Sequence, residues 1–147
     1  MIRFYKGKLL AMDGKPDISE NEVWVEGDKI SYVGPAKAEM PSFEREIDLK
    51  GNLLMPGFKN AHTHSAMTFC RSLADDLPLQ PWLFDMIFPL EAKLTPERVY
   101  HLTKLAILEY LSGGVTSAFD MYFYRSLGAQ AAIDSGFRYV LCTMNET

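Results

Sequence analysis

The chain has little cysteine. Cys70 and Cys142 are its only two in 147 residues, and neither belongs to a C-x-x-C pair. Reduced, buried thiols in a cytoplasmic protein are the reading that this leaves. Long apolar runs are missing as well. No stretch approaches the roughly 18 apolar residues of a membrane span, and Met1-Ile2-Arg3-Phe4-Tyr5-Lys6 lacks the apolar core of a signal peptide. Basic residues are neither dominant nor clustered: 15 Lys and Arg stand against 19 Asp and Glu, for a net charge of -4. That argues against a nucleic-acid surface, which needs Lys and Arg gathered on one face. The sequence also has no Ser-centred nucleophile elbow, no phosphate loop and no H-x-E…P-C-x-x-C pattern. No internal repeat or low-complexity segment is present.

What is there suffices for a core. The hydrophobic fraction is 48%, which supports a globular unit of this length. Residues 1 to about 52 read as short strands and turns. Glu22 to Glu26 alternates, Gly27-Asp28 turns, and Ile30 to Val33 returns as in a hairpin. Glu44 to Leu49 alternates again before Gly51-Asn52. Residues 53–147 read differently. Trp82 to Phe88 suggests one or two helical turns ending at Pro89. Thr95-Pro96-Glu97 is a helix start, with Thr as cap and Pro at the first helical position. That helix should reach Ser112, with Val99, Leu102, Ala106 and Tyr110 in a stripe. Leu105, Leu108 and Leu111 lie beside it, a face wide enough for a sheet and a neighbouring helix. A strand from Val115 to Tyr122, a helix from Arg125 to Ser135 and a strand from Phe137 to Met144 follow. Strands alternating with helices imply parallel βαβ units, hence an α/β fold.

The sharpest chemical signal is His62-Thr63-His64, after Leu53-Leu54-Met55 and the Pro56-Gly57 pair. On an extended strand, residues two apart share a face, so both imidazoles can converge on one divalent metal. An isolated H-x-H is a weak signal, more often two ordinary hydrogen-bonded histidines than a metal site. Its place at the end of the first βαβ strand favours the metal, because strand C-termini carry the sites of such folds. His101, within a helix, suits a surface or packing role. Asp120 is open to a site-facing role or a structural hydrogen bond. Glu91 is open to solvation or a site, and Trp82 to a core or a pocket wall.

The segment Pro56-Gly57-Phe58-Lys59-Asn60-Ala61-His62-Thr63-His64-Ser65-Ala66-Met67 resembles the first barrel strand of the amidohydrolase superfamily. Arg71, Asp75-Asp76-Leu77-Pro78-Leu79, Trp82-Leu83-Phe84, Phe88-Pro89, Glu91, Gly113-Gly114-Val115-Thr116 and Asp120-Met121-Tyr122 extend the likeness. Together they resemble the deaminase and chlorohydrolase branch, near the 5-methylthioadenosine/S-adenosylhomocysteine deaminases. The resemblance implies part of a small β-sandwich over residues 1–52. Residues 53–147 would then form about three of the eight strands of a (β/α)8 metal-dependent hydrolase barrel. It further implies that His62 and His64 hold one divalent metal, zinc foremost, that Glu91 holds ribose hydroxyls, and that Trp82 walls the pocket. In that family a metal-activated water replaces a ring amine and ammonia leaves. The family's further ligand histidine, catalytic glutamate and histidine, and last-strand aspartate lie beyond the third strand. No catalytic residue is therefore expected in this chain, and the rest of the barrel is expected as a separate or missing segment. Where some relatives carry a carboxylate-binding arginine, Leu141-Cys142-Thr143-Met144 stands here. That weakens S-adenosylhomocysteine as substrate and leaves other adenosine-like amines open. The alternatives are a related enzyme acting on a triazine or guanine-type ring, and a truncated, non-catalytic assembly module. Neither nucleic acid nor membrane is expected as a partner, and association with a second copy is left open.

Overall fold

In the computed structural model, residues 1–14 and 17–142 are described. Backbone contacts divide the chain into Met1–Pro56 and Gly57–Thr147. The break falls a few residues after the expected boundary, because Leu53–Leu54 pairs inside the first unit.

The first unit holds two sheets. Strands β1 (Ile2–Tyr5), β4 (Glu22–Glu26), β5 (Lys29–Gly34) and β6 (Arg45–Asp48) form one, in the order β5-β4-β1-β6. β2 (Lys8–Leu10), β3 (Ile18–Ser19) and β7 (Leu53–Leu54) form the other. β4 and β5 are the expected hairpin, and Gly27 turns it with φ 60, a region that suits glycine. Trp24 is buried against the rings of Tyr32 and Phe43. Arg3 ties the sheet together: its guanidinium donates to Glu22 at 2.9 Å and Glu46 at 2.7 Å, and the Trp24 indole also donates to Glu22 at 3.0 Å.

The second unit is built on a parallel sheet of β8 (Phe58–Thr63), β9 (Val115–Asp120) and β10 (Arg138–Leu141), with β9 central. Helices α3 (Pro96–Ser112) and α4 (Arg125–Asp134) supply the crossovers. Thr95 caps α3 as the sequence suggests, its hydroxyl accepting from the Arg98 backbone N–H at 3.3 Å. Ile107, Ala118, Ala132 and Phe137 form the core between helices and sheet. Ala66, Val99 and Tyr122 form a second cluster. Gly57 is needed for contact: a Cβ there would run into the Thr116 side chain of β9. Thr143 and Met144, expected in the third strand, lie outside the described residues.

Two expectations need correction. Helix does not stop at Pro89 but runs on to Glu91, as α1 (Leu79–Pro81), a π-helical stretch Trp82–Ile87 and α2 (Phe88–Glu91). Phe88 N–H bonds back to Leu83, five residues earlier. That wider turn relieves the clash a proline ring makes with an α-helical backbone. The second correction concerns α3. Its buried side is Val99, Thr103, Ala106 and Ile107, whereas Leu105, Leu108 and Leu111 remain exposed. α4 and the sheet reach one side of the helix only.

Candidate functional site

The site gathers at the C-terminal ends of β8 and β9. The two strands do not pair in uniform register there: a shift between Asn60 and Thr63 bulges β8 at Ala61-His62. Such a bulge re-aims side chains at a strand end. β8 finishes at Thr63, so His64 lies just past it. The His62 and His64 rings nevertheless meet edge to face, with centroids 5.0 Å apart. A bulge and a strand end bring them together, where simple alternation was expected to.

His64 is held tightly. Its Nδ1 lies 2.6 Å from the carbonyl oxygen of Met121. A carbonyl only accepts, so Nδ1 carries a proton, and in the neutral ring Nε2 is the nitrogen with the lone pair. Such a carbonyl contact is the usual support behind a metal-ligating imidazole. The residues flanking His64 are braced by α3: the Tyr110 hydroxyl lies 2.6 Å from that of Thr63 and 3.0 Å from that of Ser65. His62 is exposed, and its backbone N–H bonds to the Asn60 side chain at 3.2 Å.

Asp120 takes the structural role. Its carboxylate accepts from the Ser65 N–H at 3.0 Å and from the Tyr139 hydroxyl. Burial raises its pKa above the ordinary carboxylate value, and the Ser65 N–H opposes that shift. His101 lies exposed on α3, beside Tyr100 and away from the pair. Among the described residues no set of three His, Cys, Asp or Glu side chains is placed to hold a metal.

A cavity of about 180 Å³ opens beside His64, walled by Met67, Trp82, Leu83, Ile87, Phe88, Glu91, Met121, Tyr122 and Phe123. His64, Trp82 and Glu91, singled out separately in the sequence, thus line one hollow. Trp82 anchors its indole N–H on the Leu73 carbonyl at 3.3 Å. Glu91 is half-buried at the end of α2. The lining is mostly apolar, with a carboxylate, an imidazole and a phenol converging. Its volume is below the roughly 300–1,000 Å³ of a full ligand site, so it fits one portion of a ligand. The helical path through Pro89 matters here, since it carries Glu91 to the cavity.

Residues 53–146 match the sequence profile of the amidohydrolase family. The chain belongs to that family. A 5-methylthioadenosine/S-adenosylhomocysteine deaminase of Syntrophomonas wolfei is 48% identical over 124 residues, 84% of this chain and 29% of the relative. A 5'-deoxyadenosine deaminase of Methanosarcina barkeri is 46% identical over 91% of this chain and 31% of its own length. Among solved structures, a zinc-bound adenosine deaminase from Xanthomonas campestris superposes with a TM-score of 0.85 at 35% identity, over 94% of this chain and 32% of that one. A zinc complex of atrazine chlorohydrolase from Arthrobacter aurescens reaches a TM-score of 0.87 at 23% identity, over 97% of this chain and 35% of that one, and shares the fold. The chain spans about a third of the length of the curated relatives it matches.

Several supports of the histidine pair and its cavity escaped the sequence. Tyr110 read as one more apolar position of a helical stripe, and Tyr139 as part of a strand. The Met121 carbonyl carries no side-chain signal at all. Tyr122 stood inside the family motif without an assigned role.

Proposed function

We propose that this chain forms part of a metal-dependent aminohydrolase that releases ammonia from an adenosine-like nucleoside. The observation that carries the reading is the cavity shared by His64, Trp82 and Glu91. The names of the relatives, 5-methylthioadenosine/S-adenosylhomocysteine deaminase and 5'-deoxyadenosine deaminase, support it. In this reading the parallel sheet supplies the first three strands of a (β/α)8 barrel, and the two sheets before it belong to a small β-sandwich. The missing positions come from the remainder of the barrel. The free Cys70 and Cys142 thiols fit a cytoplasmic enzyme.

His62 and His64 are the metal-holding residues of the chain. Two imidazole nitrogens suit zinc, with His64 Nε2 left as a donor by the Met121 contact. Bound there, a divalent cation supplies Lewis acidity and brings the ionisation of water down towards neutrality. Glu91 accepts from the ribose hydroxyls, as an ionised carboxylate can from two donors. Trp82 walls the pocket, and its apolar neighbours exclude water around the sugar.

The test is ammonia release from 5-methylthioadenosine by the whole protein. Glu91→Gln should lower kcat/KM roughly 10- to 100-fold, as loss of a charged hydrogen bond does. A triazine or guanine-type ring has no ribose for Glu91 to hold. Turnover of such a ring that survives Glu91→Gln, with none on the nucleoside, would replace this reading.

A further inference from the structure

Asp120 ends β9 and stands opposite Thr63 where β8 and β9 pair. With its neighbour Met121 it grips the His64 segment at three consecutive residues. The Met121 N–H donates to the Thr63 carbonyl at 3.1 Å, and His64 Nδ1 lies 2.6 Å from the Met121 carbonyl. The Ser65 N–H donates to Asp120 Oδ1 at 3.0 Å. The first two contacts use main-chain groups of Met121, which nearly any residue supplies. The third needs a side-chain acceptor. Ser65 opens the short 3-10 helix Ser65–Cys70, so no carbonyl within that helix serves its N–H.

The acceptor is itself fixed. Asp120 and Ser65 are buried, at 3% and 2% exposure. From β10, the Tyr139 hydroxyl donates to the other carboxylate oxygen. Just past that strand, the Cys142 N–H donates to the Asp120 carbonyl at 2.8 Å. A carboxylate locked by the third strand therefore sets the path of the backbone on the far side of His64, while Met121 holds the ring and the near side. Position matters to a metal ligand, whose bond length holds to about 0.2 Å. Groups that orient a ligating imidazole are worth roughly 10- to 100-fold in metal affinity.

We propose that Asp120 is a positioning residue for the metal pair: by holding the Ser65 N–H it keeps His64 where its Nε2 can share one cation with His62. This rests on the metal-holding role given to the two histidines above and adds to it a residue that acts through Ser65 and contributes no ligand. The acceptor oxygen is the feature that counts. Asparagine keeps such an oxygen for Ser65, and its amide can donate to Tyr139 in return; alanine keeps neither.

The test is the zinc affinity of the whole protein, read by competition with a chelator well below the melting temperature. It compares the unmodified protein with Asp120→Ala, Asp120→Asn, Tyr139→Phe and Thr95→Ala, and metal-free melting temperatures are recorded for all. Asp120→Ala should weaken zinc binding roughly 10- to 100-fold, and Asp120→Asn should recover most of that loss. Thr95→Ala, a destabilised control remote from the pair, should bind zinc as the unmodified protein does. An alanine variant that melts earlier yet binds zinc unchanged, an asparagine variant as weak as alanine, or an equal loss in Thr95→Ala would overturn the proposal. Should Asp120→Ala not fold, Tyr139→Phe decides: weakened zinc binding supports the positioning role, and unchanged binding overturns it. Failure of the unmodified protein to bind zinc would sink the metal reading, and this inference with it.

Discussion

His64 shows how much of a site depends on single contacts. Its ring is turned by one carbonyl, and its backbone is flanked by two hydroxyls that share Tyr110. Removing the Tyr110 hydroxyl leaves Thr63 and Ser65 short of a partner. Tyr110→Phe should therefore cost about 1–2 kcal/mol in urea unfolding. It should also loosen the zinc affinity of the whole protein, read by competition with a chelator. A variant of full stability and unchanged affinity would show that the hydroxyl is idle. On the metal reading proposed above, His64→Ala is more severe, since it removes one imidazole of the pair. Zinc retained after dialysis, measured by elemental analysis, should drop to background.

Elements succeed or fail at their ends. The α3 cap is a single hydrogen bond from Arg98 N–H to Thr95, so Thr95→Ala should lower stability by about 1 kcal/mol without touching the cavity. In the first unit, β1 and β4 are joined by the Arg3–Glu22 pair, buried at 12% and 7% side-chain exposure. The Arg3 hydrogen bond holds the Glu22 pKa below its ordinary 4.5, partly offset by burial. A carboxylate whose folded pKa is lowered stabilises the fold above its unfolded pKa, and that contribution is lost as pH falls through the folded one. Urea midpoints should thus decline on the acid side of 4.5, and Glu22→Gln should flatten that decline while lowering stability at neutral pH. An unaltered acid slope would assign the loss to other carboxylates.

At the scale of the whole molecule, the parallel sheet of the second unit is covered by helices on one face only. On its strands Phe58, Phe119 and Val140 are 58%, 41% and 54% exposed. Among the described residues β8 and β10 are its open edges. Exposed apolar strands with free edges pair with other chains. Residues 1–147 produced by themselves should self-associate in light scattering and show no deaminase turnover. A concentration-independent monomer that unfolds cooperatively would contradict this.

The sequence by itself determined the order of elements, the α3 cap, the hairpin at Gly27 and the histidine pair at a strand end. Each is written in neighbouring residues, where turn chemistry and periodicity act. It also carried the family likeness through Pro56 to Tyr122. Tertiary structure alone decided the rest. The π turn before Pro89 carries Glu91 into the cavity with His64, and helix–sheet packing brings Tyr110 against Thr63 and Ser65. Asp120 is claimed by Ser65 and Tyr139, whereas Tyr122 is turned to face Glu91. These outcomes join residues distant in the chain. They depend on which groups burial leaves facing one another, and no local pattern encodes that.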